Sequence, residues 1–447
     1  MVTLTGLCLN AAEERQITAS PRNHDMDNND NFSPDGRFLV YDTRESIGVG
    51  IDNSQSIEMV EVDTGKETVL YHPKVSVTGS RPAPGVGAAS FSGASNDIAF
   101  IHGPPVAEMA VRGPYDKPNR NGAHVIGDPA VQPKDGEYPM SWLDKRDVAT
   151  DRPTLPGAHR GGTHRHEYTL DGSRIGFTYN DFLLPQYGRT VGYMVPSPKA
   201  PAPASHYFAV LVPIVPKGTA KPGEIEIAQS DSWVGREGAM RAFIGTVKEE
   251  DGSYQDSLFV IDVPRTVDIT TADSGSATSY PKPPAGVSIR RLTHDAASGV
   301  VRGTADGTRI AYSAKAPDGT KQLFVIASDG SDRAEDPAKR PAQLSHFPKG
   351  VDAFWRWNSS GDTLFCLSNG AVAMLCAQPG SRFGETTILV PEDGAARKNL
   401  VLSPDGKRLA LNKPCPANGA DGKPAKDYAG RDFLQIFVVN VPETPPQ

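Results

Sequence analysis

The chain is short of cysteine, of long apolar runs and of positive charge. Its 4 cysteines, Cys8, Cys366, Cys376 and Cys415, are too scattered among 447 residues for a disulfide framework. Cys366 and Cys376 flank a hairpin turn at Asn369-Gly370, but a two-residue turn there sets Cys366 opposite Ala373, so no bridge between them is expected. No apolar stretch approaches the roughly 18 residues of a spanning helix. Asp and Glu (53) outnumber Lys and Arg (46), giving a formal charge of −7. With no dense basic run to release counterions, a nucleic-acid surface is excluded. No Gly-x-Ser-x-Gly elbow, Walker loop or dinucleotide fingerprint occurs, which removes serine-hydrolase, nucleotide-hydrolase and hydride-transfer readings. Met1 to Ala12 carries a short apolar patch without a basic flank or clear cleavage pattern, so the compartment stays open, as does the oligomeric state.

What is abundant is punctuation: 44 glycines and 39 prolines, a balance that favours many short strands over long helices. The segment Asn31-Phe32-Ser33-Pro34-Asp35-Gly36-Arg37-Phe38-Leu39-Val40-Tyr41 recurs. Copies lie at Ser90 to Ile101, Tyr168 to Phe177, Thr304 to Tyr312, Trp357 to Phe365 and Leu402 to Leu411. Space for a seventh unit lies around Met240 to Ile244 and Leu258 to Asp262. Each unit reads as a strand, an Asp-Gly turn supplying the positive φ it needs, and further strands rich in β-branched and aromatic residues. Seven such units about a circle make an all-β, seven-bladed β-propeller. The last unit ends without an outer strand, and residues 14–18 are expected to supply it, closing the ring. The expectation is a single domain over residues 1–447, with insertions at about 104–160 and 182–235 that could form a lid or rim.

Three of the 10 histidines fall within eight residues, His159, His164 and His166, where the third unit begins. Alternation along an extended strand would put His164 and His166 on one face, able to grip one metal ion or one anionic group. Aligned with the first unit they share register with Asn28 and Asp30 at a channel mouth, within reach of His24. The spacing is not that of a structural zinc site, since no cysteine lies near. Mixed imidazole and oxygen donors suit Mn²⁺, Zn²⁺ or a related ion. Trp355 and Trp357 offer either core packing or a sugar-stacking platform, the core reading being the better for at least one.

The repeats resemble the TolB-like propeller superfamily and, within it, the uncharacterised YidR-like group. The residues that carry the likeness include Arg22-Asn23-His24, Phe32-Ser33-Pro34-Asp35-Gly36, Phe100-Ile101-His102-Gly103-Pro104, Arg160-Gly161-Gly162-Thr163-His164-Arg165-His166 and Trp233-Val234-Gly235. A more distant resemblance joins Thr163-His164-Arg165-His166, with Thr169 and Asp171-Gly172, to oligogalacturonate lyases, propeller enzymes that use Mn²⁺ to cleave uronate oligosaccharides by β-elimination. A Gln three residues before the first His also ligates the metal in that family; this chain has Gly161 there. The resemblance implies a divalent ion, Mn²⁺ foremost with Zn²⁺ or Ca²⁺ as alternatives, held by His164, His166 and His24. It also implies an acidic oligosaccharide substrate. The ion would acidify the C5 proton, a base (His24 or His159) would remove it, and Arg160 or Arg165 would pair with a carboxylate. Tyr179 completes the catalytic candidates. The competing reading is a non-catalytic propeller that binds a protein or glycan.

Overall fold

The computed structural model describes residues 12–27 and 30–442. Within them the chain folds into seven small antiparallel blade sheets in chain order, with a further two-stranded ribbon, Ala417–Asn418 against Pro424–Ala425. The third, for example, is built from Gly161–Tyr168, Ile175–Asp181, Thr190–Pro196 and His206–Val210, each paired with the next. Blades 2, 4, 5 and 6 repeat this meander. Blade 1 has three regular strands, Phe38–Asp42, Ile57–Glu61 and Glu67–Tyr71, and the described residues of its innermost segment make the bridges Asp25 to Asp42 and Phe32 to Leu39. Blade 7 draws its fourth strand from the other end of the chain: Glu14–Gln16 pairs antiparallel with Phe433–Asn440, Glu14 opposite Val439.

The local cause of each unit is the turn after its first strand. In Ser33-Pro34-Asp35-Gly36 the Ser33 hydroxyl donates to Asp35 at 2.6 Å, the same carboxylate accepts the Arg37 amide, and Gly36 sits at φ 70°. Thr169 with Asp171 and Ser403 with Asp405 repeat the bond at 2.6 Å. The apolar faces that alternate along the strands then meet between blades. Phe38, Val40 and Met59 of blade 1 pack against Phe91, Ile98 and Phe100 of blade 2. Val401, Ala410 and Ile436 of blade 7 pack against Ile17, Leu39 and Tyr41. Burial between neighbours therefore holds the sheets together, each apolar side chain contributing roughly 1.5–3 kcal/mol.

The two long segments read as insertions hold regular blade strands. Residues 104–160 contain Asn121–Ile126 and Ser141–Trp142 of blade 2, and 182–235 contain the outer strands of blade 3 and the first strand of blade 4, Ile225–Val234. Glycine and proline there mark connections between strands. Cys366 faces Ala373 across its hairpin, and Cys366, Cys376 and Cys415 are free thiols. Trp355 is buried in the core between blades 5 and 6.

Candidate functional site

The first strand of blade 3 does not alternate cleanly. His164 lies opposite Thr178 and Glu167 opposite Gly176, so an extra residue is accommodated between them, and Arg165 takes φ 60° to do so. This is a β-bulge, which resets which face each later side chain occupies. The same device, a positive-φ residue at a register shift, occurs in the first strands of blades 2, 4, 5 and 7, at Ala88, Ser230, Gly299 and Asn399.

The bulge overturns the expectation that His164 and His166 share a face. The His164 ring lies beside the Thr178 hydroxyl, 2.7 Å from Nε2, and lines a cavity of about 250 Å³. His166 turns back into the seam between blades 2 and 3, where its Nε2 lies 3.1 Å from the Thr163 hydroxyl. A Cβ on Gly122 would stand 2.8 Å from that nitrogen, so the close approach of the strands there needs glycine. His159 occupies the same seam, 3.2 Å from Asp144 and 3.3 Å from Asn121. Burial would raise the Asp144 carboxyl, but His159 and His166 beside it bring it down to about 2. The seam is thus buried, with Asp144 shared by the Asn121, Thr163 and His159 side chains.

The other candidates from the sequence are also structural. His24 is buried between blades 1 and 7, bonded to Ser20 and the Leu434 carbonyl and 3.4 Å from Glu67. Arg160 is fully buried against Asp181, and Tyr179 donates to the same carboxylate at 2.9 Å. Of the seven candidates, His164 and Arg165 line the cavity and His24, His159, Arg160, His166 and Tyr179 do not. Asn28 lies outside the described residues. This donor arrangement does not fit one ion shared by His164, His166 and His24. Among the described residues no group of three or more His, Cys, Asp or Glu side chains is arranged to hold a metal ion.

The cavity is instead cationic. It opens among blades 1 to 4, and around His164 stand Arg165, Arg120 and Arg189, with Thr178, Gln229, Ser230 and Asp27. Arg120 donates to the Tyr115 hydroxyl and the Lys117 carbonyl, and its guanidinium lies over the Tyr115 ring. Arg189 donates to the Asn180 amide oxygen at 3.3 Å. Among the described residues none of the three arginines forms an ion pair with a carboxylate. Burial, then Arg120, lowers the Arg189 guanidinium to about 10, so it stays charged at neutral pH. Burial and the neighbouring Arg120 and Arg189 push the His164 imidazole well below its usual range, which leaves it neutral. A neutral imidazole among guanidiniums can accept a proton from a ligand whose negative charge those guanidiniums hold.

A second cavity opens at the opposite end of the first strands, among the Asp-Gly turns, lined by Tyr168, Trp233 and Trp357 over Asp30, Glu167, Arg302 and Arg356. Its Glu167 is paired, lying 3.0 Å from Arg241 and 3.4 Å from Arg302. The Trp357 indole donates to the Arg302 carbonyl, so it is tied into the ring wall.

One relative settles the family. The uncharacterised protein YidR of Escherichia coli K12 is 31% identical over 430 residues, spanning 89% of this chain and 94% of that protein. The chain belongs to the YidR family. A family described as "Protein of unknown function (DUF3748)" matches residues 85–206, the segment that supplies His164, Arg120, Arg165 and Arg189. Among solved structures, TolB from Acinetobacter baumannii is similar at 11% identity, covering 91% of this chain and 80% of that one with a TM-score of 0.39. Prolyl oligopeptidase B from Galerina marginata is similar at 10% identity, covering 91% and 47% with a TM-score of 0.48. Within the YidR family, then, this chain is a seven-bladed β-propeller with a cationic cavity at one mouth.

Proposed function

We propose that this propeller binds an acidic oligosaccharide in the His164 cavity and cleaves it by β-elimination next to a uronate. The observation that carries the reading is the trio Arg120, Arg165 and Arg189, without carboxylate partners, around a neutral imidazole. A guanidinium pair on the uronate carboxylate would stabilise the charge that develops as the C5 proton leaves. His164 takes that proton, the C5–H electron pair becomes the C4=C5 double bond, and the C4–O bond breaks. The departing oxygen recovers a proton from the His164 imidazolium, which returns the base to its neutral form. The guanidiniums here do the neutralising that the lyase resemblance assigns to Mn²⁺, and no step is routed through a metal.

The test is absorbance at the unsaturated-uronate band during incubation with oligogalacturonides. Turnover is expected in the presence of EDTA, with at least a hundredfold loss in His164→Gln and binding retained. Turnover abolished by EDTA and restored by Mn²⁺ would overturn the guanidinium assignment. A second reading, a propeller that only holds a glycan or protein, is favoured by one feature: both His164 ring nitrogens already lie within 3.1 Å of the Thr178 hydroxyl. Tight oligogalacturonide binding with no absorbance change would select it.

A further inference from the structure

We propose that the cavity selects ligands carrying two or more negative charges in one compact piece, so that a diuronate is held and a single uronate is not. The inference rests on the acidic-sugar reading for the identity of the ligand and on charge balance for its valence. Several other arginines with little exposure are matched by acids. Arg44 meets Asp27 at 2.7 Å and Asp42, Arg160 meets Asp181, Arg241 meets Asp231 and Glu167, and Arg397 meets Glu14 and Asp393, both at 2.7 Å. The cavity arginines are held otherwise, as is Arg174, which donates to the Gly238 and Val263 carbonyls; what sets the cavity apart is that three such guanidiniums share one space. Arg120 and Arg189 are oriented by a carbonyl, a phenol and an amide oxygen, acceptors that fix direction and cancel no charge.

One carboxylate lines the cavity, Asp27, and it is already engaged by Arg44. Even with Asp27 counted in full, three guanidiniums against one carboxylate leave a surplus of two. Partly buried like charges are costly until a counter-charge arrives; burial first, and then the cationic neighbours, depress both His164 and Arg189. A monoanion would leave one guanidinium unmatched, while a dianion removes the surplus. Thr178, Gln229 and Ser230 supply neutral hydrogen-bonding groups on the same wall, as a sugar hydroxyl needs.

Calorimetric titration of the full chain with galacturonate, digalacturonate, the monomethyl ester of digalacturonate and inorganic phosphate tests this, at low salt and at 0.5 M salt. Digalacturonate is expected to bind at least tenfold tighter than its monomethyl ester, which has the same size and one charge fewer. The gap should shrink several-fold at high salt, as screening predicts. It should close at low salt in Arg165→Gln and in Arg189→Gln, either of which serves if the other fails to fold. Equal affinity for the diacid and the monoester would overturn the proposal. Inorganic phosphate binding more tightly than digalacturonate would keep the charge rule and overturn the uronate identity. Charge-graded binding without an absorbance gain would keep the inference while ending the elimination reading.

Discussion

At the scale of single residues, function turns on how little of the histidine cluster faces the ligand. His159 and His166 are buried inside a seam around Asp144, so in the proposed elimination His164 alone would exchange protons with the ligand. Its environment is set from several directions: burial first, then Arg120 from blade 2, Arg189 and Arg165 from blade 3, and His166 two residues along. All disfavour its protonation. The acid limb of kcat/KM for the proposed uronate cleavage should therefore lie below the ordinary imidazole value of about 6.5. An acid limb at or above 6.5 would mean that the base is some other, solvated histidine.

At the scale of elements, the strands were readable and the bulges were not. Serine or threonine two residues before Asp-Gly announced the first hairpins of blades 1, 3, 5 and 7 because that side chain caps the turn, and the β-rich runs after it announced the second strands. The bulge carries no such mark. Glycine would have signalled a positive φ, but only Gly299 stands at such a position, while Ala88, Arg165, Ser230 and Asn399 reach it against their preference. Strict alternation consequently put His166 beside His164. The arginine trio left one legible trace that was missed: Arg120-Asn121 and Arg189-Thr190 both place an arginine just before the third strand of adjacent blades. The strain at Arg165 is measurable. Arg165→Gly should be more stable than Arg165→Ala by about 1 kcal/mol in urea unfolding, since only glycine takes φ 60° without a Cβ conflict, and both should lose ligand affinity. Equal stability of the two variants would show that the bulge relaxes once the arginine is gone.

At the scale of the whole molecule, the two chain ends share a blade and the seams between blades hide titratable groups. Glu14 ties the strand Glu14–Gln16 to Arg397 at 2.7 Å and Lys413 at 2.8 Å, so the last blade is locked by charge as well as by backbone pairing. Burial lowers His102 and His166 to about 4. Their stabilising effect is complete above the unfolded value near 6.5 and is lost as pH falls towards 4, amounting to about 3 kcal/mol for each. Unfolding midpoints in urea should therefore drop steadily between pH 6.5 and 4.5, and His102→Gln should flatten part of that slope. A midpoint constant over that interval would place these imidazoles in contact with water.

The central claim is that the mouth beside His164 is an anion site built from three guanidiniums. Crystals grown with trigalacturonate test it most directly. The account predicts sugar density in the His164 cavity, with carboxylate oxygens within about 3 Å of Arg165 and of Arg120 or Arg189. Density confined to the funnel among the Asp-Gly turns, beside Trp233 and Trp357, would contradict it.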